Sequence, residues 1–362
     1  MKLKGINKML TEKQIKEIRE HLNNAQNPLF FFDNDSDGLC SFLVLQRFLG
    51  RGKGVAIKSF PDLSVDYFRK VNELNADYIF ILDKPLISKE FLEKAEQSNI
   101  PIVYIDHHET KKELIPDFVN SYNPNFGSDK GDEPTTYLCY QVSQKKDDVW
   151  IAVAGCISDK YFPDFYSEFK EKYPDLAIDS EDAFEIRYRS GIGKITNLFS
   201  FALKDRTTNV VNMNKFLMNV KTPYDVLDEN PRNHTMHQRF KQINSKYQIL
   251  LERAKNIVNS ENSSEKILFF KYSGDLSISS DLSNEICFLF PEKLVIVAFV
   301  SGSKVNISAR GENVRELILK AIDGLKNSSG GGHESAVGAQ VQVDDLEEFE
   351  RRVRSLLDNK TR

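Results

Sequence analysis

The chain has 362 residues, 40% of them hydrophobic, and a formal net charge of −4. That length suits two or three domains with ordinary buried cores. No apolar run approaches the roughly 20 residues of a bilayer span, and a negative balance gives no support to a protein that coats nucleic acid through a basic surface. Lysines and a polar helix open the sequence in place of a signal peptide, so a soluble cytoplasmic protein is expected. Cys40, Cys139, Cys156 and Cys287 are scattered through apolar stretches, as buried hydrophobes are and disulfide or zinc frameworks are not.

In chain order, Thr11 to Gln26 reads as a helix, with Thr11 and Gln14 in capping-box spacing and Ile15, Ile18 and Leu22 as its apolar stripe. Strands are expected at Leu29 to Phe32, Val55 to Phe60, Tyr78 to Leu82 and Ile102 to Ile105. Helical patterns separate them at Leu39 to Phe48, Val65 to Leu74 and Ser88 to Gln97. Short continuous apolar strands alternating with amphipathic helices predict an α/β domain with a doubly wound parallel sheet over residues 1–162, closed by helices near Thr135 to Val142 and Trp150 to Ile157. Residues 163–262 lack strand alternation and read as a helical insert or bridge, with one long helix from His237 to Val258. Residues 263–362 return to mixed structure. Strands are expected at Ile267 to Tyr272, Leu294 to Val300 and Val305 to Ala309, and helices at Asp281 to Leu289, Val314 to Ile322 and Leu346 to Leu357. A hairpin at Ser301-Gly302-Ser303-Lys304 makes this smaller α/β sheet partly antiparallel. The basic residues Arg47, Arg51, Lys53 and Lys58, and Lys304 and Arg310 further on, read mostly as solvated surface.

The chemistry gathers where buried strands should end. Asp33-Asn34-Asp35-Ser36-Asp37-Gly38 follows the first apolar run, Asp83 follows the third, Asp106-His107-His108 follows the fourth, and Asp159 follows Ala154-Gly155-Cys156-Ile157-Ser158. Side chains at the carboxyl ends of neighbouring parallel strands converge in one crevice. Carboxylates with one or two imidazoles suit Mn²⁺ or Mg²⁺ better than thiolate-loving ions. A metal-dependent hydrolase is the first expectation.

Taken with Gly330-Gly331-Gly332-His333 near the C-terminus, this order of motifs resembles the DHH phosphoesterase family with its DHHA1 domain, of the RecJ-like or nanoRNase-like kind. Asp33 to Gly38 with Ser41 resembles the family's first motif, Asp83 its second and Asp106-His107-His108 its namesake, while Asp159 takes the place of the fourth carboxylate. Ser308-Ala309-Arg310 and Gly330 to Gly338 resemble the two phosphate-handling motifs of DHHA1.

That resemblance implies two Mn²⁺ ions, with Mg²⁺ as the alternative. Asp35 would hold one ion, Asp37 and His107 the other, and Asp83 and Asp159 would contact or bridge both. His108 would support the cluster and Asp106 would orient a histidine. Water would be the nucleophile. Arg310 would grip phosphate, Ser308 would lie beside it, and the backbone of Gly330, Gly331 and Gly332 with His333 would cradle the substrate. Two departures stand out. Phe31 and Asp33 occupy the positions where many members carry histidine, so that the metal there has one ligand fewer or is held by Asp33. Lys84-Pro85 replaces the usual x-Gly after Asp83. The implied activity is release of mononucleotides from an end of single-stranded DNA or short RNA, with a replication or repair protein as a further partner and no membrane. The alternatives are hydrolysis of a cyclic dinucleotide or 3′-phosphoadenosine nucleotide, and a catalytically weak replication-associated scaffold.

Overall fold

A computed structural model describes residues 9–59, 62–126, 131–260 and 265–360. The chain forms two compact units, residues 1–241 and 242–362.

In the first unit, a parallel sheet in the order β2-β1-β4-β6-β7 is built from β1 (Pro28–Asp33), β2 (Lys53–Ile57), β4 (Tyr78–Leu82), β6 (Ile102–Ile105) and β7 (Val119–Tyr122). The short β3 (Asp62–Leu63) and β5 (Leu86–Ile87) pair separately. Because successive side chains point to opposite faces, the triple Phe30-Phe31-Phe32 divides between two cores. Phe30 and Phe32 pack with Phe42, Phe80 and Leu82 on one side, and Phe31 with Ile79, Ile81 and Phe91 on the other. Burial on both faces is why these strands read as uninterrupted hydrophobic runs. β7 escaped the sequence because only its end residues, Val119 and Tyr122, are buried. The Val55 to Phe60 strand ends at Ile57, and Phe60 lies outside the described residues.

Helix α1 (Glu12–Asn24) starts at the expected Thr11–Gln14 capping box. α2 (Ser36–Leu49) is buried from Ser36 through Gln46, as a helix apolar all round should be. α3 (Phe68–Glu73) and α4 (Lys89–Gln97) complete the expected alternation. α5 (Thr135–Ser143) and α6 (Val149–Ser158) pack against α2.

Among the insert's described residues all regular structure is helical: α7 (Tyr166–Lys172), α8 (Ala183–Arg189), α9 (Gly191–Leu203), α10 (Thr207–Leu217), α11 (Pro223–Leu227) and the long α12 (His234–Ser260). Its residues Phe169, Ile186, Ile192, Phe199 and Leu217 share the core that holds Phe32 and Trp150, so residues 163–241 are continuous with the first unit. Arg47 joins the two parts. Its guanidinium pairs with fully buried Asp148 at 2.6 Å and donates to the carbonyls of Leu217, Met218 and Val220. Arg51 donates to the carbonyls of Ala25 and Asn23, and Lys58 to that of Asp205. Three residues of the expected basic surface are thus tied to the protein's own carbonyls.

The second unit is a mixed sheet in the order β11-β12-β10-β9-β8. β8 (Ile267–Ser273) runs parallel to β9 (Leu294–Ser301), which turns through Gly302 at φ 58° into antiparallel β10 (Lys304–Arg310). β11 (Ser329–His333) and β12 (Ala336–Gln342) follow, so the triple glycine is an edge strand and not a loop. α14 (Val314–Ile322) and α15 (Leu346–Lys360) cover one face through Val314, Leu317, Ile318, Phe349 and Val353. α13 (Ser279–Leu289) packs on β9 and β10. No disulfide joins the four cysteines. Among the described residues, no helix is long and apolar enough to cross a membrane.

Candidate metal centre

Strands β1, β4 and β6 are adjacent and parallel, so their carboxyl ends deliver the acidic motif, Asp83 and Asp106-His107-His108 to one edge of the sheet. Asp159, the C-cap of α6, arrives from the helical layer. Two groups of possible ligand atoms result, Asp83, His107 and His108, and Asp37, His107 and Asp159, each with all its atoms within 4.8 Å of one another. His107 belongs to both. Its Nε2 lies 3.5 Å from Asp83 Oδ1 and 3.4 Å from Asp159 Oδ2.

Asp33 and Asp35 stand outside these groups. Asp33 accepts a hydrogen bond from Lys84 Nζ at 2.7 Å. Asp35 caps α2, its Oδ1 taking the Gly38 amide at 2.9 Å. Gly38 has no substitute here, since a Cβ would lie 2.5 Å from the Asp33 carbonyl oxygen. Asp83 adopts φ 58°, a left-handed backbone that aspartate tolerates better than most residues.

The supporting contacts are specific. The first amides of α5 close on Asp37, with Thr135 N 2.9 Å from Oδ2 and Thr136 N 2.9 Å from Oδ1, and Thr135 Oγ1 donates to Asp83 Oδ1 at 3.1 Å. Fully buried Asp106 lies 2.8 Å from His108 Nδ1 and also accepts from the His108 amide and the Tyr104 hydroxyl, which fixes His108. Asn123 and Asn125 donate to the carbonyls of His108 and His107. Behind them, Arg187 donates to the Ser158 carbonyl at 2.6 Å, next to Asp159, and Ser36 Oγ donates to the Thr196 carbonyl. Helices α8 and α9 of the insert therefore brace both ends of the acidic cluster. Of these supports, the pairing of Asp106 with a histidine was expected from the sequence. The Pro134-Thr135-Thr136 helix start was the other visible signal, because Asn123, Asn125, Arg187 and Ser36 act on backbone carbonyls.

Charge is crowded in this edge. Burial first, then the carboxylates of Asp159 and Asp35, push Asp37 up to about 8. Burial, then Asp37 and Asp35, hold Asp83 well above the ordinary range. Asp35, solvent-exposed along one side yet surrounded by protein, rises to about 6 through that surrounding and the charge of Asp33, against the Gly38 amide. Burial pulls His108 down, but the Asp106 carboxylate outweighs it, with help from Asp159 and Asp33, and raises it to about 9. Oxygen-rich donors that repel one another, with an imidazole among them, fit divalent cations of the Mn²⁺ or Mg²⁺ type.

The remaining predicted residues lie in the second unit. Arg310, 7% exposed, donates from Nε to Asn284 Oδ1 and from Nη2 to Ser280 Oγ at 3.0 Å. Ser308 Oγ is 2.9 Å from Ser279 Oγ of α13. Ser308 and Gly331 both register opposite Gly338 on β12, and a Cβ on either glycine would meet nothing within 4 Å. A bare strip of sheet thus adjoins the serines, and Gly330, Gly332 and His333 continue the same edge strand.

The sequence matches the DHH family, N-terminal domain, over residues 29–158 and the DHHA1 domain over residues 265–359, together more than half of the chain. RecJ from Thermus thermophilus in complex with Mn²⁺ superposes with a TM-score of 0.68 at 15% identity, over 96% of this chain and 54% of that one. This chain therefore spans about half the length of that RecJ. An exonuclease RecJ bound to manganese superposes at 0.62 and 16% identity, over 96% of this chain and 94% of that one. CDC45 from Entamoeba histolytica does so at 0.54 and 10% identity, over 97% and 99% respectively. No curated protein sequence matches the chain. With both domains in the family's order and a RecJ-like fold around the aspartate–histidine edge, the chain belongs to the DHH family with a C-terminal DHHA1 domain.

Proposed function

We propose that the protein is a Mn²⁺-dependent phosphodiesterase that releases mononucleotides from an end of single-stranded DNA or short RNA. The observation that carries this reading is the meeting of Asp37, Asp83, His107, His108 and Asp159 from four separate stretches of chain within 4.8 Å groups. RecJ proteins of similar fold, which bind manganese, support it.

A pair of divalent cations held by Asp35, Asp37, Asp83, His107 and Asp159 would neutralise phosphoryl oxygens and acidify the attacking water. The protein's own residues do the rest. Thr135 and Thr136 fix both oxygens of Asp37, so that this carboxylate keeps one orientation throughout. Asp106, 2.8 Å from His108 Nδ1, orients His108 as a support of the cluster. In the second unit, Asn284 and Ser280 set the plane of the Arg310 guanidinium, whose planar fork binds phosphate. The bare strip at Gly331 and Gly338 admits the sugar-phosphate backbone, for which side chains would be obstacles.

End-labelled DNA and RNA oligonucleotides incubated with purified protein and Mn²⁺ test this directly. Metal-dependent mononucleotide release is expected. Turnover of dinucleotides alone would select the small-nucleotide alternative, and no turnover of either would select the scaffold.

A further inference from the structure

We propose that the cavity between α5 and α7 is a binding site for an organic polycation, an alkyl chain that carries two or more ammonium groups.

The cavity has a volume of about 440 Å³, within the roughly 300–1,000 Å³ of ordinary small-molecule sites. Tyr137 and Tyr140 of α5 and Phe165, the N-cap of α7, give it aromatic walls. The Phe165 ring centroid lies 5.7 Å from that of Tyr137 and 4.5 Å from that of Tyr140. Met9 adds a thioether, its Sδ 3.5 Å from the Tyr137 hydroxyl. Asp164 and Glu168, on either side of the α7 start, bring two carboxylates to the same space. Among the described residues no lysine, arginine or histidine lines it. The basic side chains close by in sequence are engaged elsewhere: Lys145 donates to the Arg47 carbonyl, Lys170 pairs with Asp179 and Lys172 with Asp147. Both tyrosine hydroxyls are held up, first by burial and next by Asp164 for Tyr137 and by Glu168 for Tyr140, so each carboxylate acts on a wall of the cavity.

What this lining lacks is a cation. Aromatic faces and a polarizable thioether suit organic ammonium groups, whereas Mg²⁺ and Ca²⁺ demand a shell of oxygens. Two carboxylates match two ammonium groups, and the alkyl stem between those groups would lie on the rings. A lysine side chain brings one such charge, and a polyamine brings both.

Spermidine titration calorimetry on the full chain, in excess Mg²⁺, tests this. Saturable one-to-one binding is expected, with n-butylamine, which has a single ammonium, at least tenfold weaker. Asp164→Asn and Glu168→Gln keep size and shape, and each should weaken spermidine about fivefold, the double variant tenfold or more. Phe165→Leu, if folded by circular dichroism, should weaken it about threefold or more. Absence of saturable binding in excess Mg²⁺ would overturn the proposal, as would equal affinity for spermidine and n-butylamine or an unchanged affinity in the double variant. Binding of an oligolysine peptide where spermidine fails to bind would make the cavity a protein contact and overturn it too.

Discussion

Asp83 combines three burdens: a left-handed backbone at φ 58°, near-complete burial and a pKa driven up by burial and the acidic motif. Asparagine tolerates the same backbone and keeps the size. Asp83→Asn should therefore fold normally by circular dichroism while losing Mn²⁺ affinity and kcat/KM by about a hundredfold or more. Raised pKa values also set a pH dependence. Between the ordinary carboxylate value of about 3.9 and about 8 for Asp37, the metal-free native state holds a proton that the unfolded chain has released. Asp35 adds a window ending near 6 and His108 one ending near 9, both of the same sign. Native stability should thus fall as pH rises from 5 to 8 in the presence of a chelator. Thermal unfolding checks this, and saturating Mn²⁺ should reverse the trend by replacing the lost protons. A metal-free Tm that rises across that window would contradict the assigned shifts.

The helices, more than the strands, decide how firmly the acidic edge is held. α6 approaches α5 so closely at Gly155 that a Cβ would sit 2.3 Å from Thr136 Oγ1. Gly155→Ala should displace the amides that clamp Asp37, costing about 1–3 kcal/mol of stability and weakening Mn²⁺ binding as well. A stability loss with unchanged Mn²⁺ affinity would deny the clamp. Arg47→Met removes the 2.6 Å guanidinium pair of buried Asp148, leaving it Lys145 Nζ at 3.7 Å, and releases three carbonyls of the insert, and urea unfolding should report about 3 kcal/mol lost. These contacts explain what the sequence withheld. β1, β4 and β6 were legible because burial on both faces gives continuous apolar runs, and with them came Asp37, Asp83 and His107. β7 has too little buried surface to leave a pattern, and β11 is so rich in glycine that it resembles a loop. The insert read as helical, but Arg187 and Thr196 work through main-chain carbonyls, which leave no trace in side-chain spacing.

Across the whole molecule, the proposed metal chemistry and phosphate binding fall in different units of one chain, the first at the sheet edge of residues 1–241 and the second on the DHHA1 sheet. Arg310→Ala should then raise KM about tenfold or more for oligonucleotides while Mn²⁺ titration stays unchanged, a split that steady-state kinetics and calorimetry read separately. Loss of Mn²⁺ binding in that variant would tie Arg310 to the metal centre instead. The most direct measurement is anomalous scattering from a crystal soaked in Mn²⁺. Strong peaks among Asp37, Asp83, His107 and Asp159 are predicted, and an empty edge at saturating Mn²⁺ would contradict the assignment of this site as a metal centre.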